Sequence, residues 1–236
     1  CDRFGLTGPS VVLDRRIIAR KADVRNFDAV KAVVDEGIAE LGRIDIVAAN
    51  AGIFLFGDET HLVTERDWDD VLDINLKGAW NCSKAVLPGM IEEGGGVILN
   101  IASTHAFTII PHTFPYPVAK HALLGMTKAL GLEYAGQGVR VNALAPGYVR
   151  TQKAVEYWNS FPDPAAAEAE TLKLHPGGRI AAPEEIARAA LFMVSDECPF
   201  MNATTSGFSM SSVPLTIHSG CSCATFDVGS TVYRNA

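Results

Sequence analysis

The chain has 236 residues and a mass of 25.2 kDa, which suits one sizeable α/β domain and is too short for two. Apolar residues make up 48% of it and charged residues 20%, a balance that excludes a disordered chain. The net charge of −7 argues against a nucleic-acid partner, and the sequence holds no apolar run of about eighteen residues that would suit a membrane span.

The cysteines and histidines predict neither a disulfide framework nor a metal site. An odd number of cysteines with no Cys-x-x-Cys pair is typical of a reducing compartment, so we expect a cytoplasmic protein. No pair of histidines has metal-binding spacing. The five cysteines are Cys1, Cys82, Cys198, Cys221 and Cys223.

Short apolar runs alternate with helical patterns between residues 17 and 200, which predicts a single α/β domain with a parallel sheet. Thr64 with Asp67 is a candidate capping box, and Gly42 a candidate helix end. The predicted order is strand 16–24, helix 26–42, strand 44–52, helix 64–96, strand 96–103, helix 116–138, strand 139–147, a proline-broken aromatic segment 151–180 and helix 182–196.

The two ends do not continue this pattern. Residues 1–16 fit no element, and residues 201–236 contain twelve Ser and Thr among 36 positions with no Lys or Glu. We therefore predict an unplaced segment at 1–16, a core at 17–200 and an atypical Ser/Thr-rich tail at 201–236.

Ser103, Tyr116 and Lys120 form the first candidate site. Ser103 closes a predicted strand, and the carboxyl ends of parallel strands are where such sheets bind ligands. Tyr116 and Lys120 are four residues apart on a predicted helix, so they share a face, where an ammonium group lowers the pKa of a phenol. Such a tyrosine suits general acid/base chemistry, although the same spacing also fits an ordinary amphipathic helix.

The pattern of Ser, twelve residues, Tyr, three residues and Lys resembles the active-site signature of the short-chain dehydrogenase/reductase family. Further motifs are similar to those of the family in type and order: Asn-Ala-Gly at 50–52, Asn75 within Asp-Ile-Asn-Leu-Lys-Gly, and Ala-Pro-Gly at 145–147 followed by Thr151. The resemblance covers residues 17–200. It implies a doubly wound, Rossmann-like parallel sheet and hydride transfer between NAD or NADP and an alcohol or carbonyl.

The resemblance also implies a role for each catalytic candidate. Tyr116 would be the acid/base, Lys120 would lower its pKa and hold the nicotinamide ribose, and Ser103 would orient the carbonyl. Asn75 would hold a water molecule in a proton relay.

The implied cofactor contacts have plainer alternatives. Asp23 would instead cap the next helix, and the segments 50–52 and 146–147 would be simple turns. The implied cofactor-binding residues are Asp23 and Val24 at the adenine, Asn50, Ala51 and Gly52 after the second predicted strand, Tyr116 and Lys120, and Pro146, Gly147, Val149 and Thr151 at the nicotinamide end.

The substrate and partners follow from the same resemblance. Tyr157, Trp158 and Phe161 lie where the family has a mobile lid, which favours a small polar substrate such as a sugar or sugar acid, although aromatic core packing is an equal interpretation. His105 and His112 flank the site. The family implies a homo-oligomer, either a dimer or a tetramer.

The sequence departs from the family before Asp23. A strand, a helix and a second strand need about 30 residues or more, and Gly8 is too close to Ala22 for them to fit between. The first βαβ unit and its phosphate-binding turn are therefore expected to be missing, and the choice between NAD and NADP is not predicted.

The other end departs as well. The nearest match to the final motif of the family is Phe-Asp-Val-Gly-Ser at 226–230, which comes late in the chain and lacks the second glycine. These ends favour a fragment, a misread gene or a truncated form. The alternative function is a non-catalytic relative that acts only by association with other subunits through the helices at 65–93 and 117–136.

Overall fold

The computed structural model of the chain describes residues 18–55, 59–175, 177–207, 216–218 and 225–227. The predicted N-terminal segment 1–16 lies outside these residues, as does most of the predicted tail, including Cys221, Cys223 and residues 228–230 of the last motif.

Four parallel strands form the described part of the main sheet. In chain order, β1 is Ile46–Ala49, β2 is Gly96–Ile101, β3 is Val139–Ala145 and β4 is Thr205–Gly207, and this is also their order across the sheet. The pairing is in register at Ile46 with Val97, Gly96 with Val139 and Ala143 with Thr205. A separate antiparallel pair joins β5, Thr216–His218, to β6, Thr225–Asp227.

Helices cover both faces of the main sheet. The two faces can be told apart by neighbouring residues of β2: Ile98 packs against Met90, and Leu99 packs against Met193. Alternation of side chains along a strand produces this division, so the predicted doubly wound α/β domain is confirmed. The helices are α1 Phe27–Leu41, α2 Glu65–Leu72, α3 Gly78–Glu92, α4 Tyr116–Tyr134, α5 Gln152–Asn159, α6 Pro164–Lys173 and α7 Pro183–Val194.

The long helix predicted at 64–96 is divided. Thr64 caps α2 as predicted, because its hydroxyl accepts a hydrogen bond from the Asp67 backbone N–H at 3.1 Å. A π-helical turn at Asp73–Lys77 then separates α2 from α3. Such wide turns are rare inside helices and often occur at functional sites.

The strand predicted at 16–24 is wrong over the residues that the structure describes. Residues 18–24 form no strand there, and the sheet of described strands begins at β1. Ile46 on this outer strand is 48% exposed. Arg20 in this segment contacts Glu36 and Glu40 of α1 instead.

The sheet also continues past residue 200, where the sequence predicted the start of a tail. Arg140 of β3 anchors the chain that leads to β4, since its guanidinium donates hydrogen bonds to the carbonyl oxygens of Met193, Ser195 and Met201 at 3.0–3.1 Å. Small residues with no apolar pattern form β4, which explains why periodicity does not reveal it.

In the part of the chain that the structure describes, no helix combines the length and the apolar character needed to cross a membrane.

Candidate active site

The loops that follow β1, β2 and β3 lie at one edge of the sheet. The backbone N–H of Thr104, after β2, donates to the carbonyl oxygen of Pro146, after β3, at 3.0 Å. Parallel strands place their carboxyl ends side by side, so residues that are distant in sequence meet here.

Helix α4 brings Tyr116 and Lys120 to this edge. The helix begins at Tyr116, whose backbone N–H donates to Thr113 at 3.0 Å, and Pro117 is accommodated in the first turn. The Ser103 hydroxyl lies close enough to the Tyr116 hydroxyl to favour the ionised form of the phenol and so lower its pKa. The ammonium group of Lys120 lies 5.5 Å from the ring centre of Tyr116 and donates to the carbonyl oxygen of Ile101 at 2.7 Å.

Burial shifts the pKa of both titratable groups in this trio. Burial raises the pKa of Tyr116, and the hydrogen bond from Ser103 opposes that rise. Burial lowers the pKa of Lys120 to about 8. The raised pKa favours the neutral form of Tyr116, and the predicted lowering of that pKa by Lys120 stays a prediction.

The π-helical turn presents Asn75 to the same site. Asn75 is 1% exposed, and its side-chain amide donates to the carbonyl oxygens of Ile53 and Val71 at 2.9 and 3.0 Å. Its side-chain oxygen has no hydrogen-bond partner among the described residues. A buried acceptor without a partner suits a ligand or a water molecule, and the water-binding role of Asn75 stays a prediction.

The lack of a side chain at Gly52 leaves room for the side chain of Asn75. A Cβ atom added at Gly52 would lie 2.7 Å from the side-chain oxygen of Asn75 and 3.8 Å from the ammonium nitrogen of Lys120. Asn50, Ala51 and Gly52 are exposed at the carboxyl end of β1, so the backbone here is open to a ligand.

Asp23 and Val24 form a fixed turn near α3. The Asp23 carboxylate pairs with Arg25, which lowers the pKa of Asp23, and Arg25 also pairs with Asp70 at 2.7 Å. The alternative that Asp23 caps the next helix is wrong, because Asn26 caps α1.

Sequence reasoning missed two residues that hold Val24. The side-chain amide of Asn81 donates to the carbonyl oxygen of Val24 at 2.8 Å, and a Cβ atom at Gly78 would lie 2.7 Å from the Val24 side chain. A polar residue within the apolar pattern of α3 was the available signal for Asn81.

The loop after β3 contains the residues predicted to contact the nicotinamide. Pro146 and Gly147 are half-buried, and Val149 forms an isolated parallel bridge with Ala181. Thr151 caps α5, because its hydroxyl oxygen accepts from the Ala154 backbone N–H at 3.3 Å. That cap uses an acceptor position, so the hydroxyl hydrogen of Thr151 is not consumed by it.

The aromatic residues after this loop differ in how deeply they are buried. Trp158 is 2% exposed, stacks on Tyr148 and donates to the Thr171 hydroxyl at 3.0 Å, so it joins α5 to α6. Tyr157 and Phe161 contact each other at an exposed surface. Core packing thus describes Trp158, and a lid role for the other two stays a prediction.

Two aromatic side chains border Tyr116. The ring of His105 is 5.6 Å and that of Phe54 4.9 Å from the Tyr116 ring, both edge to face. Burial lowers the pKa of His105. Phe54 was missed because a single aromatic residue after a glycine turn carries no motif, and His112 lies exposed with a φ of 64°.

Histidine, cysteine, aspartate and glutamate side chains form no group of three suited to a metal ion within the described ranges.

A family model and several known proteins are similar to this chain. A family model described as enoyl-(acyl carrier protein) reductase matches residues 12–207. A Mycolicibacterium smegmatis protein named as a short-chain type dehydrogenase/reductase is 36% identical, over 88% of this chain and 75% of its own length. Cyclohexanol dehydrogenase of Acinetobacter sp. is 34% identical, over 82% of this chain and 74% of its own.

A solved structure is similar to this chain as well. The ligand-free aldohexose dehydrogenase of Thermoplasma acidophilum superposes with a TM-score of 0.75 and 33% identity, covering 80% of this chain and 75% of the other.

Proposed function

Because this chain belongs to the short-chain dehydrogenase/reductase family, we propose that it interconverts an alcohol and a carbonyl compound with Tyr116 as the acid/base. One observation supports the proposal: Tyr116 and Lys120 of α4 lie beside Ser103, which follows β2, at the edge where the strands end. Members of the family are oxidoreductases that use NAD or NADP.

The side chains of this site can handle a reacting C–O group. Reduction of a carbonyl builds negative charge on its oxygen, so the Tyr116 hydroxyl delivers a proton there while Ser103 donates a hydrogen bond to the same atom. In the oxidation of an alcohol, the proton moves from the substrate oxygen to Tyr116 instead. Lys120 is held by Ile101 at one N–H and keeps further donors that would bind ribose hydroxyls.

The residues of the nicotinamide half fit a dinucleotide. Gly52 permits close backbone approach, and the side-chain oxygen of Asn75 supplies a buried acceptor for a water molecule beside Lys120. Asn50 and Ala51 would border the cofactor, and Pro146, Gly147, Val149 and Thr151 would contact the nicotinamide end. Asp23 and Val24 would bind the adenine. When bound, the cofactor supplies or accepts the hydride.

Titration of the protein with NADH and with NADPH, followed by nicotinamide fluorescence, tests this proposal. We expect saturable binding that an Asn50→Leu variant weakens. Tyr116→Phe should retain binding and lose about 10²-fold or more of turnover, whereas Tyr134→Phe, at the far end of the same helix, should retain both. Absence of binding by folded protein would overturn the dehydrogenase proposal and favour association with other subunits.

Finer properties are proposed on the same basis. A cytoplasmic location agrees with the odd number of cysteines, and a homo-oligomer agrees with the family. The predicted sugar or sugar-acid substrate has support from the name of the aldohexose dehydrogenase, and an alicyclic alcohol has support from the name of the cyclohexanol dehydrogenase. The surroundings of Tyr116 distinguish these two classes.

A further inference from the structure

We propose that the substrate of this site is an uncharged cyclic alcohol or ketone rather than a sugar or sugar acid. The proposal rests on the dehydrogenase function and concerns the side chains around the reacting oxygen. Phe54, His105 and Tyr116 together are called the aromatic rim.

The aromatic rim is a set of three rings in mutual contact. Phe54 and His105 approach each other at 5.9 Å as well as approaching Tyr116, and all three contacts are edge to face. Phe54 lies two residues after Gly52 and is 48% exposed. An apolar ring left exposed beside a catalytic hydroxyl group provides a surface that an apolar ligand can cover.

A second aromatic pair extends the apolar surface toward α2. Phe114 lies two residues before Tyr116, and its ring is 5.5 Å from that of Trp68. Trp68 is also partly exposed. Aromatic groups therefore reach the start of α4 from two separate elements.

The loops at the strand ends lack the charges that a sugar acid requires. Segments 50–55, 103–116 and 145–149 contain no Asp, Glu, Lys or Arg. Lys120 is buried and bonded to Ile101, and Arg150, the first cation after β3, pairs with Glu168. A carboxylate placed here would meet no free cation on these three segments, and a buried charge without a partner is costly.

Among the polar groups near the rim, the Thr113 hydroxyl already donates to the carbonyl oxygen of Ile110. Burial lowers the pKa of His105, whose Nδ1 has no partner among the described residues. A polyol has several hydroxyl groups, each of which would need a partner to replace water, whereas a cyclic ketone needs partners only at its carbonyl oxygen. Ser103 and Tyr116 supply those partners.

The test measures kcat/KM with the intact protein and its preferred cofactor for cyclohexanol, threitol and gluconate. Hydrophobic pockets discriminate about 10–200-fold for each methylene group, so cyclohexanol should exceed both polar compounds by about tenfold or more. The cofactor titration is run first on the same preparation, so that a failure of the dehydrogenase function is recognised separately.

Variants of Phe54 test whether the rim causes the preference. Phe54→Asn should lower kcat/KM for cyclohexanol by about tenfold or more, mainly through KM, while Phe54→Leu should retain most of it. Phe200→Asn is the matched control, because Phe200 is exposed and follows α7.

Each outcome decides the proposal. Preference for cyclohexanol that Phe54→Asn removes and Phe200→Asn leaves intact supports it. Higher kcat/KM for threitol or gluconate overturns it while the dehydrogenase function stands, and so does cofactor binding with turnover of none of the three. Absence of cofactor binding overturns both proposals together.

Discussion

Gly52 faces the side-chain oxygen of Asn75 so closely that one added methyl group would contact it at 2.7 Å. The two residues come from different elements, one from the turn after β1 and the other from the π-helical turn between α2 and α3. The same added methyl group would lie 3.8 Å from the ammonium nitrogen of Lys120.

Gly52→Ala is expected to weaken NADH or NADPH binding by about tenfold or more, which corresponds to about 1.4 kcal/mol. The added methyl group displaces Asn75 and narrows the space beside Lys120. Fluorescence titration measures the change. Gly125→Ala on α4 is the control, because a Cβ there meets no atom within 4 Å and alanine favours a helix. Unchanged affinity in Gly52→Ala would contradict the close approach.

Asn75→Asp is expected to destabilise the fold by about 3 kcal/mol. The carboxylate removes the two donors that satisfy Ile53 and Val71 and places a charge in a buried position. Urea denaturation measures the free energy of unfolding. Asn26→Asp is the matched control, since aspartate caps a helix as well as asparagine does. Equal stability of both variants would mean that Asn75 is not held as described.

Lys120→Met should change stability relative to the native chain in a pH-dependent way. The pKa of Lys120 is lowered from 10.5 to about 8, so between these values the folded protein binds fewer protons than the unfolded chain. The stability of the native chain therefore rises with pH through this window, and the variant lacks that rise. The full difference is about 3 kcal/mol.

Urea denaturation of the native chain and Lys120→Met at about pH 7 and about pH 10 measures this difference. We expect the variant to be relatively more stable at the lower pH and to lose that advantage at the higher one. Lys128→Met, at an exposed position of the same helix, should show no such pH-dependent change in stability relative to the native chain. A parallel response of all three proteins would contradict the burial of a titrating Lys120.

Arg140→Lys is expected to lower the free energy of unfolding by about 2 kcal/mol. The guanidinium reaches carbonyl oxygens on both sides of the segment after α7, and a single ammonium group cannot reproduce that fork. Thermal and urea denaturation measure the loss. Arg66→Lys, with its side chain 89% exposed, should change neither.

Much of the fold was predictable because the signals were local. Periodic apolar runs located α1, α4 and α7, and buried runs located β1 to β3. The strand predicted at 16–24 was wrong over residues 18–24, which pair with no described strand. The opposite error occurred at β4, where Thr-Ser-Gly pairs with β3 although its sequence carries little strand signal.

The chain by itself determined the family, because Ser103, Tyr116 and Lys120 occur at fixed spacings with Asn75 in the expected order. Spacing along a helix or after a strand depends only on backbone geometry, so it can be counted in the sequence. Only the tertiary structure decided that Gly52 lies against Asn75, that Asn81 holds Val24 and that Phe54 borders Tyr116. Those contacts join segments that are distant in sequence, and their distances depend on how the helices pack on the sheet.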